Sequence, residues 1–460
     1  MNISIVGTGY VGLTTGALLA AAGNKVYCID VDPNKINVVK KGKSHFYEQG
    51  LDQFVKKTVD EGSLIPTLSY EKSIPDSEVA IICVGTPSKG DGSVDLSYVY
   101  NSTESIARNM KNGTIIVQKS TVPVGTGRRL QKIISRVGKK GSVVSCPEFL
   151  AEGSAVFDSL NMDRFVIGSE SEPAKQKVIK LFQSLDDYSR TLDLESFDEF
   201  ATIYNKKLSK FTDIPFEDRI YSMSLESAEL VKVSANSFLT TKISFANSIA
   251  KICDKVGADI NEVMDGIGAD HRIGRAFLYA GLGWGGGCFP KDTAGLVYSA
   301  EEQGVDFKLL KSVVDVNNAQ ILYVVRKAKE MLKGELENKI ITVLGLSFKP
   351  GTSDIRISPS IKLVKNLTYN HAKIRVYDPK AMENTEQELN NDVYFAKDIE
   401  DALRGTELAI LATEWPEFIE MDFSSLKKFF KTPNLLDARN RWPKEKVKKL
   451  GFSYSGIGRS

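Results

Sequence analysis

Cys288 closes a run, GWGGGCFPKD (283–292), in which Gly283, Gly285, Gly286 and Gly287 precede the thiol and Lys291 and Asp292 follow it. Glycine gives up more backbone entropy on folding than any other residue, so such a run is kept where the chain approaches something closely or takes φ > 0. A thiol on that loop is a potential nucleophile, although a single cysteine also serves as a small core residue. Upstream, Glu148 and Glu152 in SCPEFLAEG are four apart, and so are Lys232 and Asn236 in AELVKVSAN. On a helix that spacing puts each pair on one face. Each feature also has an ordinary reading. Glutamate pairs form solvated faces, lysines snorkel along amphipathic helices, and Asp292 suits the cap of a helix beginning TAGLVYSAEEQG. Only three histidines exist, His45, His271 and His371, so acid–base chemistry here has few imidazoles to call on.

A second glycine motif is more specific. Residues 3–7, ISIVG, read as a short buried parallel strand. Gly7-Thr8-Gly9-Tyr10-Val11-Gly12 follows, then a helix over LTTGALLAAAG, then a strand KVYCID ending at Asp30. A GxGxxG that leaves a strand, opens a helix and precedes a strand-end carboxylate is a dinucleotide-binding signature. Gly7 makes the tight turn, Gly9 lets the backbone approach a pyrophosphate, and Gly12 lets the helix pack on the strand. The helix N-terminus supplies N–H groups to the phosphates. Asp30 accepts ribose hydroxyls and repels a 2′-phosphate, which favours NAD over NADP.

The elements that must position these residues follow from the pattern. Further strands are expected at 78–85, 113–120, 141–147 and 163–169, most of them separated by helical stretches, which makes a doubly wound α/β sheet. Thr86, Pro87, Ser120 and Thr121 fall just past strand C-terminal ends, the edge where such sheets bind ligands. From about 185 to 220 the pattern lapses, and 185–215 reads as an inserted helix or lid-like loop. Then SLESAELVKVSANSFLTTKISFANSIAKICDKVGA reads as one long helix, or two broken near Ser237, forming a spine of the kind often used for dimerisation. The last third repeats the opening in degenerate form. NKIITVLGLSFKP parallels MNISIVGTGYVG, AKIRVYDPKA parallels NKVYCIDVDP, and GTELAILATEWP parallels DSEVAIICVGTP. This copy lacks GxGxxG, so it is expected to bind a nucleotide without a nicotinamide half. The expected architecture is two Rossmann-like doubly wound domains joined by a long helical spine. It divides into 1–215 for NAD, 216–330 for the central helical part and 331–460 for the second nucleotide.

Composition narrows the classes. At 460 residues the chain exceeds a single core; hydrophobic residues make up 42%, charged residues 26%, and the net charge is +2. No basic run suggests nucleic acid, no apolar run reaches the roughly 20 residues of a membrane span, and the N-terminus lacks a signal-peptide pattern. Five scattered cysteines (28, 83, 146, 253, 288) without CxxC argue against disulfides or a zinc site and for a reducing cytoplasm.

The motifs GTGYVGL, CVGTP, KSTVPVGT, PEFLAEG, AELVKVSANSFL, DHRIGRAFLYAGLGWGGGCFPKD, LGLSFKPGTSDIR and YDP span nearly the whole chain. In this order it closely resembles the UDP-glucose/GDP-mannose dehydrogenase family, whose members oxidise a nucleotide sugar twice. CFPKD is most similar to the members acting on UDP-glucose. The resemblance implies oxidation of UDP-glucose to UDP-glucuronate by two NAD and a water. Cys288 would add to the aldehyde, giving a thiohemiacetal and then a thioester. It implies that Lys232 and Asn236 stabilise the alkoxide, that Asp292 takes part in proton transfer, and that Glu148 assists hydrolysis through a water, with Thr121 near the reacting centre. Tyr10, Val11, Lys35, Thr86, Thr121 and Arg356 would join the glycine turn and Asp30 at NAD, and Glu152 would lie near NAD or the reacting sugar. Phe149, Leu150, Phe277, Leu278, Tyr279 and Gly285 would contact the UDP-sugar, with Lys349 and Arg439 reaching it from the C-terminal domain and Arg272 offered across a homodimer interface. No metal is implied. The chain departs from the family pattern at Cys146, Gly287, Trp284 and Ser248, which stand where Asn, Ser, Tyr or Phe, and Glu are usual. A UDP-N-acetylhexosamine or GDP-mannose substrate is an alternative. A single-step hydroxyacid dehydrogenase would need neither Cys288 nor residues 330–460, and a non-catalytic NAD sensor would not need the whole constellation.

Overall fold

The computed structural model describes residues 1–192, 213–389 and 393–459. Two compact units result, Met1–Ala235 with Ala294–Gln303, and Asn236–Thr293 with Gly304–Ser460.

The first unit is built on an eight-stranded sheet in the order β3-β2-β1-β4-β5-β6-β7-β8. Its strands are β1 (Asn2–Val6), β2 (Lys25–Ile29), β3 (Leu64–Thr67), β4 (Val79–Ile82), β5 (Ile115–Gln118), β6 (Ser142–Ser145), β7 (Phe165–Gly168) and β8 (Ile220–Met223). β1 to β6 are parallel in the 3-2-1-4-5-6 order of a dinucleotide fold, and β7 joins β6 antiparallel. β4, β5 and β7 are buried at every residue, as strands covered on both faces must be. The sequence reading missed β3 and β8. LIPT carries a proline and IYSM has two exposed residues, so each is an edge strand whose pattern is weak.

The second unit carries β9 (Ile340–Leu344), β10 (Lys373–Tyr377), β11 (Val393–Phe395), β12 (Leu408–Leu411), β13 (Asn434–Asp437) and β14 (Ser453–Gly456). Their order β11-β10-β9-β12-β13-β14 repeats the first sheet's central topology, all parallel.

The spine is one unbroken helix, Leu225–Val256, continuous through Ser237. Lys232 and Asn236 are one turn apart on it. Two local expectations are corrected. Glu148 and Glu152 lie in irregular chain, so they share no helical face; the Glu148 carboxylate instead accepts the Phe149 and Leu150 N–H groups. The helix after the glycine loop begins at Phe289, so Asp292 sits in its first turn and does not cap it. Of the expected insertion, 185–189 completes the helix Glu172–Ser189, and 193–212 lie outside the described residues. Among the described residues no helix is long and apolar enough to cross a membrane.

Candidate active site

The first glycine turn has the geometry its residues require. Gly7 has φ 95°, and a Cβ there would lie 2.6 Å from the Cys83 carbonyl oxygen, while one on Gly12 would overlap the Gly7 carbonyl. Gly9 precedes the helix Tyr10–Ala21, and among the described residues nothing lies within 4 Å of where its Cβ would be. The approach to the helix N-terminus is thus open at Gly9, the arrangement that accepts a phosphate. Asp30 Oδ2 accepts from the Thr8 N–H (2.8 Å) and hydroxyl (2.7 Å), and Oδ1 accepts from the Asp32 N–H (3.0 Å). Burial opposes its charge, but these bonds and nearby Lys35 outweigh it and hold the carboxyl below the usual range. An ionised Asp30 suits ribose hydroxyls and repels a phosphate. Tyr10 and Val11 are half-buried, and the Tyr10 ring packs 4.1 Å from Phe46. His45, which the sequence reading passed over, reaches this turn with Nε2 2.7 Å from the Thr8 carbonyl.

At the C-terminal edge of the same sheet, the Thr86 hydroxyl donates to the Thr121 carbonyl (2.9 Å), tying the turns after β4 and β5 together. Lys119, next in the chain after β5, forms a 2.6 Å ion pair with Glu148, with the two side chains 4% and 16% exposed. Glu148 Oε1 accepts from the backbone N–H groups of Phe149 (2.7 Å) and Leu150 (3.1 Å). The Phe149 ring is approached by the Arg164 guanidinium at 4.0 Å and by Lys232 Nζ at 5.3 Å. On the spine helix, Glu229 accepts from the N–H groups of Gly125 and Gly127, each at 2.6 Å. It thereby caps the helix Thr126–Arg136 and clamps the chain that follows Thr121.

In the second unit, Asn236 Nδ2 donates to Asp292 Oδ2 and Lys291 Nζ to Asp292 Oδ1, both at 2.5 Å, with Asp292 2% and Asn236 6% exposed. Cys288 is exposed, whereas Cys28, Cys83, Cys146 and Cys253 are buried. The glycine loop is shaped by the protein's own chain. Gly286 has φ 82° and faces the Phe348 ring; Gly287 faces the Arg356 guanidinium; a Cβ on either would come within 2.7 Å. Gly281 backs onto the Ala438 carbonyl in the same way. The loop therefore lies against the turns after β9 and β13, the ligand edge of the second sheet. Trp284 is fixed there by Nε1 donating to the Ser244 hydroxyl (3.0 Å) and by Asn317.

Other expected residues fall as follows. Arg439 donates from Nε to the Ala412 carbonyl (2.6 Å) and pairs with Glu414 (3.3 Å), while among the described residues its buried Nη2 has no hydrogen-bond partner. Lys349 Nζ lies 5.9 Å from the Phe348 ring. Arg356, expected at NAD, makes a forked pair with Asp354 (Nη2 2.6 Å) in the second unit, against Gly287. Phe277 takes φ 64° and stacks edge-on with Phe289, Leu278 is buried, and Tyr279 is exposed with Arg275 over its ring. Arg272 is exposed and paired with Asp270 (2.6 Å), apart from these groups. Glu152 is half-buried. Lys119 and Glu229 were missed, although a charge closing the apolar strand IIVQ was a legible signal for the first.

A phosphate-ready dinucleotide turn in one unit, and a thiol on a nucleotide-edge loop in another of like topology, define the class as nicotinamide-dependent oxidoreductases. Models of the family's NAD-binding, central and UDP-binding domains match residues 1–186, 226–319 and 342–444. The chain belongs to the UDP-glucose/GDP-mannose dehydrogenase family. It is 39% identical to a UDP-glucose 6-dehydrogenase of Bacillus subtilis, covering 100% of this chain and 93% of that one. It is also 39% identical to a UDP-glucose 6-dehydrogenase of Rhizobium meliloti over 100% of both. The fold superimposes on a UDP-glucose dehydrogenase structure from Pyrobaculum islandicum with TM-score 0.86 at 32% identity, covering 100% and 98% of the two chains.

Proposed function

We propose that the chain oxidises UDP-glucose to UDP-glucuronate, consuming two NAD and one water, with Cys288 as the nucleophile. The observation that carries this reading is the exposed Cys288 on a loop moulded to the second sheet's ligand edge, in a chain alike over its full length to enzymes of that name. Bound NAD supplies the hydride acceptor for both oxidations. The Cys288 sulfur adds to the C6 aldehyde and holds it as a thiohemiacetal, so the intermediate cannot diffuse away between the two steps. After the second oxidation the adduct is a thioester. Lys232 and the second amide N–H of Asn236 stabilise the oxyanion; Asp292, already bonded to Asn236, fixes that amide's orientation. Glu148 orients the hydrolytic water, with Thr121 on the adjoining turn. Gly285 and Phe277 to Tyr279 line the sugar's path, and Lys349 and Arg439 hold the diphosphate and ribose, for which the unpartnered Arg439 Nη2 supports a ligand contact. The functional parts are 1–215, 216–330 and 331–460.

The same reading makes the protein a cytoplasmic homodimer. Phe238 (65% exposed), Phe245 (50%) and Ile252 (56%) recur every seven residues along the spine helix, with Val256 one turn on. An apolar stripe at that period is the seam of a helix–helix interface. Arg272, exposed in the same unit, would be offered across it.

The decisive experiment is stoichiometric: NADH formed per UDP-glucose consumed. Two per sugar, with UDP-glucuronate as product and no free aldehyde, is expected. One per sugar, or turnover only of an N-acetylated or GDP-linked sugar, overturns the reading.

A further inference from the structure

Lys119 is a buried cation at the ligand edge of the first sheet, and among the described residues it forms an ion pair with Glu148 alone. Their geometry leaves Glu148 little freedom. Oε1 holds the Phe149 and Leu150 N–H groups, and Oε2 holds Lys119 Nζ at 2.6 Å. Each carboxylate oxygen takes about two hydrogen bonds, so Oε2 alone keeps an acceptor site. Cys83 and Cys146 flank Lys119, and burial pushes these thiols up to about 12 and about 11, so they are neutral. The Phe182 ring lies 4.9 Å from Lys119 Nζ. The cations Arg164 and Lys232 lie over the ring of Phe149, the residue after Glu148.

We propose that Lys119 is a positioning residue for the second half of the reaction, keeping Glu148 an anion of fixed orientation whose Oε2 accepts a hydrogen bond from the hydrolytic water. This rests on the role given to Glu148 above. In that step the water oxygen bonds to C6 and the C6–Sγ bond breaks. One water proton passes to the departing Cys288 sulfur, and the second is released to solvent as the product carboxylate forms. Glu148 ends the step as it began, an ion. Burial works against its charge, but Lys119 and the two backbone N–H groups outweigh burial and hold the carboxyl below its ordinary range. Without Lys119 burial would dominate and push the Glu148 carboxyl up, so that on protonation it would present a donor where the water needs an acceptor.

The test uses the full-length protein with 13C-carboxyl glutamate, the Glu148 signal being the one lost in Glu148→Gln. In the parent, Glu148 is expected to remain ionised to below the ordinary carboxylate value of about 4.3. In Lys119→Met its proton affinity should rise at least a hundredfold. The acid limb of the kcat profile with UDP-glucose should move up with it. Thioester should accumulate as added mass at the acid end, with turnover recovering as pH rises. Lys119→Arg, which keeps the charge, should retain the parental limb. A purely structural lysine would lower kcat by one factor at every pH, and that result overturns the proposal. So does a parent Glu148 that titrates at or above the ordinary value, which decides the matter even if Lys119→Met fails to fold. A parent that does not oxidise UDP-glucose defeats the functional reading alone, since the titration still reports on Lys119 and Glu148.

Discussion

Cys288 and Cys146 show how far side-chain chemistry depends on surroundings. Cys146 is buried, and its thiol is pushed up to about 11, chiefly by burial; it is held inert. Cys288 is exposed, two residues after Gly286, whose φ of 82° and closeness to the Phe348 ring leave no room for a Cβ. A reacting cysteine needs that access. Replacing Cys288 by Ala should lower oxidation of UDP-6-aldehydoglucose at least about a thousandfold, the order expected when a nucleophile is removed. The measurement is single-turnover NADH formation from the aldehyde. An alanine variant as fast as the parent would mean that the second oxidation runs through a free hydrate. Cys288→Ser keeps the shape but supplies a poorer nucleophile, and its ester would hydrolyse more slowly, so a covalent sugar adduct should appear by intact mass.

At the scale of elements, the spine helix and the helix Thr126–Arg136 are joined by one carboxylate. Glu229 is 2% exposed and accepts the Gly125 and Gly127 N–H groups. A Cβ on Gly127 would fall 3.2 Å from Glu229 Oε1, so the clamp is tight. Burial pushes its pKa from 4.5 up to about 7, against those two donors. A raised folded-state value means the folded protein binds the proton more tightly than the unfolded chain. The associated stability is present below about 4.5 and is lost as pH rises through about 7. Relative to Glu229→Gln, whose amide does not titrate, the parent should therefore lose about 2–3 kcal/mol between pH 4.5 and 7.5. Paired urea-unfolding curves across that range measure it. A parent-minus-variant difference that stays flat would show that Glu229 is ionised throughout.

For the whole molecule, the exposed Phe238, Phe245 and Ile252 stripe is the consequential surface. Each is half to two-thirds exposed, and pairing across a two-fold axis would bury the rest, as the seam of the homodimer proposed above. Phe245→Asp should convert a dimer to a monomer by sedimentation, and should leave NAD binding to the first unit intact. A parent protein that sediments as a monomer at micromolar concentration would remove the interface, and with it the place proposed for Arg272.

The sequence by itself determined the doubly wound character, six strands of the first sheet, three of the second (β9, β10 and β12), the dinucleotide turn and the spine. Those features depend on local periodicity, on glycine where no Cβ fits, and on strand-end placement, all of which are written residue by residue. Asn236 and Asp292 are 56 positions apart in sequence, yet the family pattern already named both, and folding joins them at 2.5 Å. Other features were decided by tertiary structure alone. The edge strands β3 and β8 exist because a neighbouring strand offers hydrogen bonds, which IPT and YS do not advertise. The glycine at 286 is required by the Phe348 ring, some 60 residues further on. Lys119 and Glu229 have ordinary residue types in ordinary patterns. Each matters because folding buries it beside a partner that is distant in sequence, where the low dielectric makes one missing or misplaced charge costly.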